Sequence, residues 1–207
     1  MAAEDLAPDE LARHWRSWPP AEVARLLAGV TAPWYVGGGW AIDLFLGEQT
    51  RPHSDLEIGV PGGAFGEVRR ALAGYVFEVA GDGRLWPVDG PDFGRFHQVW
   101  VSEPAADLPL GRTFRLDVMR EPAVAGQWAC RRDPEIVLPY DQVIRHDSAG
   151  IPYLVPELAL LFKAKYRRPK DDADFGATLP LLGADARARL RATLAQVHPG
   201  HPWIEAL

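Results

Sequence analysis

Residues 35–60 read YVGGGWAIDLFLGEQTRPHSDLEIGV, and the fold class follows largely from this stretch. Trp34, Tyr35 and Val36 form a short apolar strand that runs into Gly37, Gly38 and Gly39;. The segment from Trp40 to Leu46 then has helical character, with Gly47 as its stop;. An alternating strand follows, with Leu56, Ile58 and Val60 on one face, and it ends at the turn Pro61-Gly62-Gly63;. Asp55 and Glu57 share the other face, about 6.6 Å apart along the strand;. Two carboxylates held together repel, by about 4 kcal/mol at 4 Å and an effective dielectric near 20. A divalent cation between them reverses that sign. Magnesium in particular takes oxygen ligands and completes its octahedron with water and substrate phosphate. A solvated strand face also carries Asp-x-Glu, so the pair alone leaves both readings open.

The residues around the pair favour phosphate chemistry. A strand that ends in Gly38-Gly39 and opens a helix offers backbone N–H groups at a positive dipole end, with no Cβ to obstruct a phosphate oxygen;. A tight turn would require the same glycines for their dihedral angles alone. Arg51 can donate to phosphate in a bidentate fork, and His53 can bond a phosphate or orient a carboxylate;.

Working outward, Leu6, Leu11 and Trp15, then Val23, Leu26 and Leu27, recur at helical spacing before the glycines;. Beyond residue 63 the chain reads mostly as strands: 75–80, 96–101, 114–119 and 137–144, punctuated by turns such as GDG and DGPDFG;. From Pro156 the character changes, and 157–166, 171–182 and 185–197 read as three helices;. The expectation is an α+β (mixed α/β) fold: a mixed sheet flanked by helices, followed by a helical C-terminal part. The predicted division is a domain of residues 1–152 and a helical domain of residues 153–207.

Composition narrows the functional classes. The 207 residues are 47% hydrophobic and 24% charged, enough for a core and ordinary for a soluble protein;. No apolar run reaches the roughly 20 residues of a membrane span. The start MAAEDLAPDE lacks a basic n-region and an apolar stretch, so no export signal is expected and the expected setting is cytoplasmic;. The lone Cys130 cannot form an intrachain disulfide and reads as structural;. The net charge of −6 argues against a general nucleic-acid binder;. All three lysines, Lys163, Lys165 and Lys170, nevertheless fall within one stretch, KAKYRRPK. Neither a G-x-S-x-G elbow nor a zinc-spaced histidine pair is present.

The run from GGW through AID, LFLGEQTR and H-x-D to the second acid resembles the small antibiotic nucleotidyltransferases. These are the aminoglycoside 2″- and lincosamide-modifying enzymes of the DNA polymerase β-like nucleotidyltransferase superfamily. The likeness is close over residues 34–60 and looser over 112–175. It implies a nucleotidyltransferase-type sheet in which Gly38 and Gly39 bind the triphosphate, and Asp55 and Glu57 hold two magnesium ions. It also asks for a third carboxylate on a neighbouring strand, and Asp117 in FRLDV fits. Position 57 departs from the family pattern, which has aspartate there; the extra methylene of Glu57 carries its carboxylate outward.

The resemblance further implies a lysine-bearing helix that lines the nucleotide cleft, within PELALLFKAKYRRPKDDADF. On that helix Lys165 shares the face of Leu158, Leu161 and Phe162, while Lys163 lies roughly 200° of rotation away;. Lys165 is therefore the first choice and Lys163 the second. Asp171, Asp172 and Asp174 read as cap and first-turn acids of the next helix;.

The implied activity is transfer of a nucleoside monophosphate, by family habit AMP from ATP, to a hydroxyl of an aminoglycoside- or lincosamide-type antibiotic. Asp117 is the first candidate for general base, with Glu121 and Glu157 behind it. Two rivals share the motifs: a toxin-like transferase acting on transfer RNA, and a catalytically inactive nucleotide-binding module.

Overall fold

The computed structural model describes residues 8–207, so the reading of the acidic start and of Leu6 lies outside the described residues. Its helices are α1 (Pro8–Ala12), α2 (Pro20–Leu26), α3 (Gly38–Leu46), α4 (Phe65–Ala71), α5 (Pro156–Lys163), α6 (Pro169–Thr178), α7 (Ala184–Val197) and α8 (Trp203–Ala206). Its strands are β1 (Tyr35–Val36), β2 (Glu57–Pro61), β3 (Val76–Gly81), β4 (Arg84–Pro87), β5 (Gln98–Pro104) and β6 (Arg112–Glu121). They continue as β7 (Ala123–Val124), β8 (Gln127–Ala129), β9 (Val137–Leu138), β10 (Ile144–His146) and β11 (Pro152–Leu154).

The contacts divide the chain into two compact units. The first holds residues up to 35 and 52–121; the second holds 36–51 and 122–207. The expected boundary at 152/153 does not fall at a division. The composition shift near Pro156 marks where longer helices begin, but α3 packs on α5 and α6 and so belongs with them.

In the first unit the strand order is β2-β6-β5-β3-β4. β2 and β6 are parallel, and β6, β5, β3 and β4 pair antiparallel in turn. One face of β2 and β6 is apolar: Ile58, Val60, Leu116 and Val118 are wholly buried. Burial of each such side chain contributes about 1.5–3 kcal/mol. A bulge at Val101/Ser102 sets Ser102 opposite Phe114, and Arg115 is left to pair with Glu103 at 3.3 Å;. On the other face Gly59 lies beneath the Tyr35 ring, where an added Cβ would collide with the phenol. The Tyr35 hydroxyl donates to the buried Glu121 at 3.0 Å.

In the second unit Val36 pairs parallel with Tyr153 of β11, and β10 lies antiparallel to β11. β7, β8 and β9 form a small antiparallel sheet. The stretch 137–144, expected as one strand, is two short strands around a 3-10 turn at Tyr140–Gln142, since Pro139 starts that turn;. α5 is apolar on nearly every side: Leu158, Leu160 and Leu161 are all fully buried. Trp128 is fully buried too and meets Phe162 edge-on. Cys130 is buried, in keeping with a packing role. Among the described residues no helix is long and apolar enough to cross a membrane.

The tail after α7 closes on this unit by stacking Trp203 on Phe175, with centroids 4.4 Å apart, and by the Trp203 indole N–H donating to Asp172 at 2.7 Å. His198 and His201 lie in the same tail, 6.3 Å apart. Burial pushes both imidazoles below their ordinary value near 6.5, and Arg132, Lys165 and Arg167 add to this, while Asp172 opposes it at His201. The unfolded chain therefore takes up these protons first. Stability contributed by the neutral rings is present above pH 6.5 and drains away as the pH falls below it;. The expected result is a thermal midpoint that drops between pH 7.5 and 5.5, with a shallower slope in His198→Leu/His201→Leu. Equal slopes in the two proteins would contradict the assignment.

Candidate active site

The register of the first unit sets the acids. Glu57 and Asp117 are direct partners across the parallel β2–β6 ladder, and the Asp117 amide donates to the Leu56 carbonyl at 2.9 Å. Facing residues on neighbouring strands lie about 5 Å apart. The row continues into β5, where Trp100 stands opposite Asp117. Asp117 is 3% exposed and Glu57 is half-buried. Asp55 lies two residues before the start of β2 and is exposed, with the Ser54 hydroxyl donating to its Oδ1 at 3.2 Å. Two of the three proposed acids are thus adjacent on one sheet face, and the third sits on the lead-in to the same strand. Among the described residues no three His, Cys, Asp or Glu side chains converge closely enough to form a ready metal cage.

Sequence reasoning missed Gln98. Its side-chain amide donates to Asp117 Oδ2 at 2.5 Å from the neighbouring strand. No motif marks it, and only the antiparallel register of β5 on β6 brings it there. The aromatic surroundings of Trp100 were equally hidden: Trp15 lies edge-on at 5.1 Å and Phe114 at 4.8 Å. The weaker base candidates are committed elsewhere. Glu121 is four strand residues from Asp117, about 13 Å along β6, and takes the Tyr35 proton donor;. Glu157 is buried in the second unit with Arg189 at 3.5 Å.

In the second unit the glycine turn behaves as its sequence suggests. Gly37 is extended, Gly38 has φ 60°, and no side chain caps the start of α3. That φ favours glycine at position 38, and Gly39 lies in the first turn;. Gly47 ends the helix at φ 79°;. His53, in the first unit, is half-buried before β2.

The lysines depart from the expected helix geometry, and Arg51 already has a carboxylate partner. The fork of Arg51 is occupied by a carboxylate: Nε donates to Asp174 Oδ1 at 3.2 Å and a terminal nitrogen to Oδ2 at 3.0 Å. Lys163, the second choice, is the buried lysine, with Nζ 2.8 Å from Asp174 and 3.7 Å from Asp171. Lys165, the first choice, is exposed and rests over the Tyr166 ring. The projection to residue 165 fails because α5 ends at Lys163; the chain then passes through a left-handed Arg167 (φ 43°) ahead of Pro169;. Asp171 does cap α6, bonding back to the Arg168 backbone and guanidinium. Burial alone would raise the Asp174 carboxyl, but hydrogen bonds from Arg51 and Lys163 outweigh it and hold it below its ordinary value;.

The second unit also carries an open pocket of about 420 Å³ lined by Trp40, Phe45, Tyr153 and the acids Asp43, Glu48 and Asp147. Asp43 there accepts from Thr50, and Asp147 from the backbone of its own turn.

The fold is of the nucleotidyltransferase type. It aligns with the solution structure of the antibiotic-resistance factor ANT(2'')-Ia at a TM-score of 0.54 and 18% identity, covering 86% of this chain and 91% of that one. The lincomycin-bound lincosamide antibiotic adenylyltransferase LnuA aligns equally well, at 0.54 and 19% identity over 86% and 99% of the two chains.

Within that fold, the aminoglycoside-2''-adenylyltransferase family model matches residues 21–89. The match spans the glycine turn, Arg51, His53, Asp55 and Glu57 and stops short of Asp117. A 2''-aminoglycoside nucleotidyltransferase of Escherichia coli is 35% identical over 85 residues, 38% of this chain and 48% of the relative. A Klebsiella pneumoniae enzyme of the same description matches equally well. The chain thus aligns with about half the length of these curated relatives, and the likeness to the small antibiotic nucleotidyltransferases drawn from residues 34–60 holds.

Proposed function

We propose that this chain is a metal-dependent nucleotidyltransferase that moves AMP from ATP to a hydroxyl of a small antibiotic of the aminoglycoside or lincosamide kind. The observation that carries the reading is the pairing of Glu57 with Asp117 on one sheet face, two residues after Asp55. Like charges directly opposite across strands destabilise a sheet. An arrangement that sets two acids together in a half-buried row fits a divalent cation. The donor set is all oxygen, and magnesium is commonly held by only one or two protein carboxylates, with substrate phosphate and water supplying the rest.

Asp55, Glu57 and Asp117 would hold magnesium, two ions by family habit. When bound, the metal supplies charge neutralisation at the phosphates and at the departing pyrophosphate. In the reaction the acceptor oxygen forms a bond to the α-phosphorus, the bond to pyrophosphate breaks, and the hydroxyl proton passes to a base. Asp117 is the base we favour, because it is both carboxylate and member of the row. Gly38 and Gly39 would offer backbone N–H groups to the triphosphate. Arg51 and Lys163, whose charges already serve Asp174, would support the second unit rather than bind phosphate directly.

The named relatives modify aminoglycosides, and the LnuA structure holds lincomycin. Together with the net charge of −6, this favours a small acceptor in the cytoplasm over transfer RNA;. The test is a screen of aminoglycosides, lincosamides and transfer RNA with labelled ATP, with and without magnesium. Label on one of the two antibiotic classes, with magnesium-dependent pyrophosphate release, is the expected result. Label on transfer RNA would replace the reading with the toxin-like one. ATP binding with no release on any acceptor would leave an inactive module.

A further inference from the structure

We infer that Gln98 is a positioning residue for Asp117, an inference that rests on the proposed metal-dependent reaction. Gln98 lies on β5, on the sheet face that carries Asp117, and its partner across the ladder is Met119. From that diagonal position its side-chain nitrogen donates to Asp117 Oδ2 at 2.5 Å. An ionised carboxylate accepts hydrogen bonds and donates none, so the amide must present its NH₂ end to Asp117. The bond fixes the rotation of the carboxylate about its last torsion, which is otherwise broad and roughly two-fold. One oxygen is thereby turned toward β5, and Glu57 is the residue opposite Asp117 on its other side, in β2. Aspartate reaches this geometry at small entropic cost because the holder comes from a strand, and both Cα positions are fixed by seven register pairs between β5 and β6;.

The alternative is that Gln98 merely satisfies a buried polar atom. Both roles use the same hydrogen bond, but they differ in what its loss does. A filler leaves metal affinity unchanged once the protein is folded, whereas an orienting partner changes it. Outer-shell partners of metal ligands typically control affinity by 10- to 100-fold.

The experiment is titration of the full chain with Mn²⁺ alone, following the free ion by electron paramagnetic resonance. Wild type, Asp117→Asn, Gln98→Met and Gln98→Asn are compared. Methionine keeps the volume and removes the donor; asparagine keeps an amide on a shorter arm. Gln98→Met is expected to weaken Mn²⁺ binding about tenfold or more, with Gln98→Asn between it and wild type. The side-chain amide protons of Gln98 provide a second readout by nuclear magnetic resonance. One of them should lie downfield in wild type and return to the free-glutamine position in Asp117→Ala. Binding by wild type that is lost in Asp117→Asn but unchanged in both Gln98 variants overturns the inference and leaves the metal site standing. Absence of Mn²⁺ binding by wild type overturns both. A thermal midpoint close to that of wild type in Gln98→Met, together with weaker binding, separates positioning from a folding defect.

Discussion

Asp117→Asn is expected to lower nucleotidyl transfer by about a thousandfold, equivalent to roughly 4 kcal/mol of transition-state stabilisation, and to raise the thermal midpoint. The two effects have opposite signs for one reason. In the folded chain Asp117 faces Glu57 across the ladder and is 3% exposed, so two carboxyl groups are set side by side, one of them buried. Asparagine keeps the shape, still accepts from Gln98 through its oxygen, and removes one of the charges. Like-charge neighbours across strands cost up to about 1 kcal/mol, which in a chain of this size corresponds to a gain of up to about 4 °C. The loss of activity follows because the same substitution removes the proposed base and a metal-binding charge. Purified variant protein would be assayed by pyrophosphate release, and its midpoint by calorimetry at low ionic strength without metal. A variant that loses activity and stability together would point to a folding role for Asp117. One that retains activity would remove it from the site.

The legibility of this chain differs sharply between its parts. Where the proposed site uses residues adjacent in sequence, part of the reading needs little structure. The glycine turn is visible because glycine takes φ 60° at position 38 without strain, whereas the strand periodicity applied to positions 55 and 57 reaches only Glu57, since β2 begins there and Asp55 lies before it;. Asp117 is singled out by the resemblance, which asks for a third acid, with its apolar alternating segment only fitting that request; its position opposite Glu57 is set by long-range register. Gln98 left no local trace, since a glutamine at a strand start has many uses and only the β5–β6 pairing selects one. The lysines misled for a different reason. Extrapolating a helix from Glu157 to Tyr166 gave Lys165 the packed face, but Arg168-Pro169 forces extended backbone, and α5 ends at Lys163;. Arg51 has a partner that no motif announces. A guanidinium fork fits carboxylate as well as phosphate, and the aspartate that claims it lies 123 residues away.

That aspartate carries the largest stability prediction. Asp174→Asn is expected to lower the thermal midpoint by about 6–12 °C, from a cost of about 3 kcal/mol. Asp174 is 4% exposed and accepts from two cations, the Arg51 fork and the Lys163 ammonium at 2.8 Å. Removing its charge leaves Lys163, itself 7% exposed, with only Asp171 at 3.7 Å, and Asp171 already serves Arg168. Breaking a buried pair from one side costs about 3–5 kcal/mol, and the remaining acid puts this case near the lower end. Lys163→Met should cost less, because Asp174 would keep the bidentate Arg51. In Lys163→Met/Asp174→Asn the stranded ammonium is gone, so the loss should be smaller than the sum of the single losses. The pH dependence carries the same signature. Asp174 and Asp171 are held below their ordinary value near 3.8, so their contribution is present above that pH and lost as the pH falls further;. Asp174→Asn should therefore narrow the gap to wild type as the medium is acidified below pH 4. A constant gap, or single losses that simply add, would mean that Arg51, Lys163 and Asp174 do not act as one buried network.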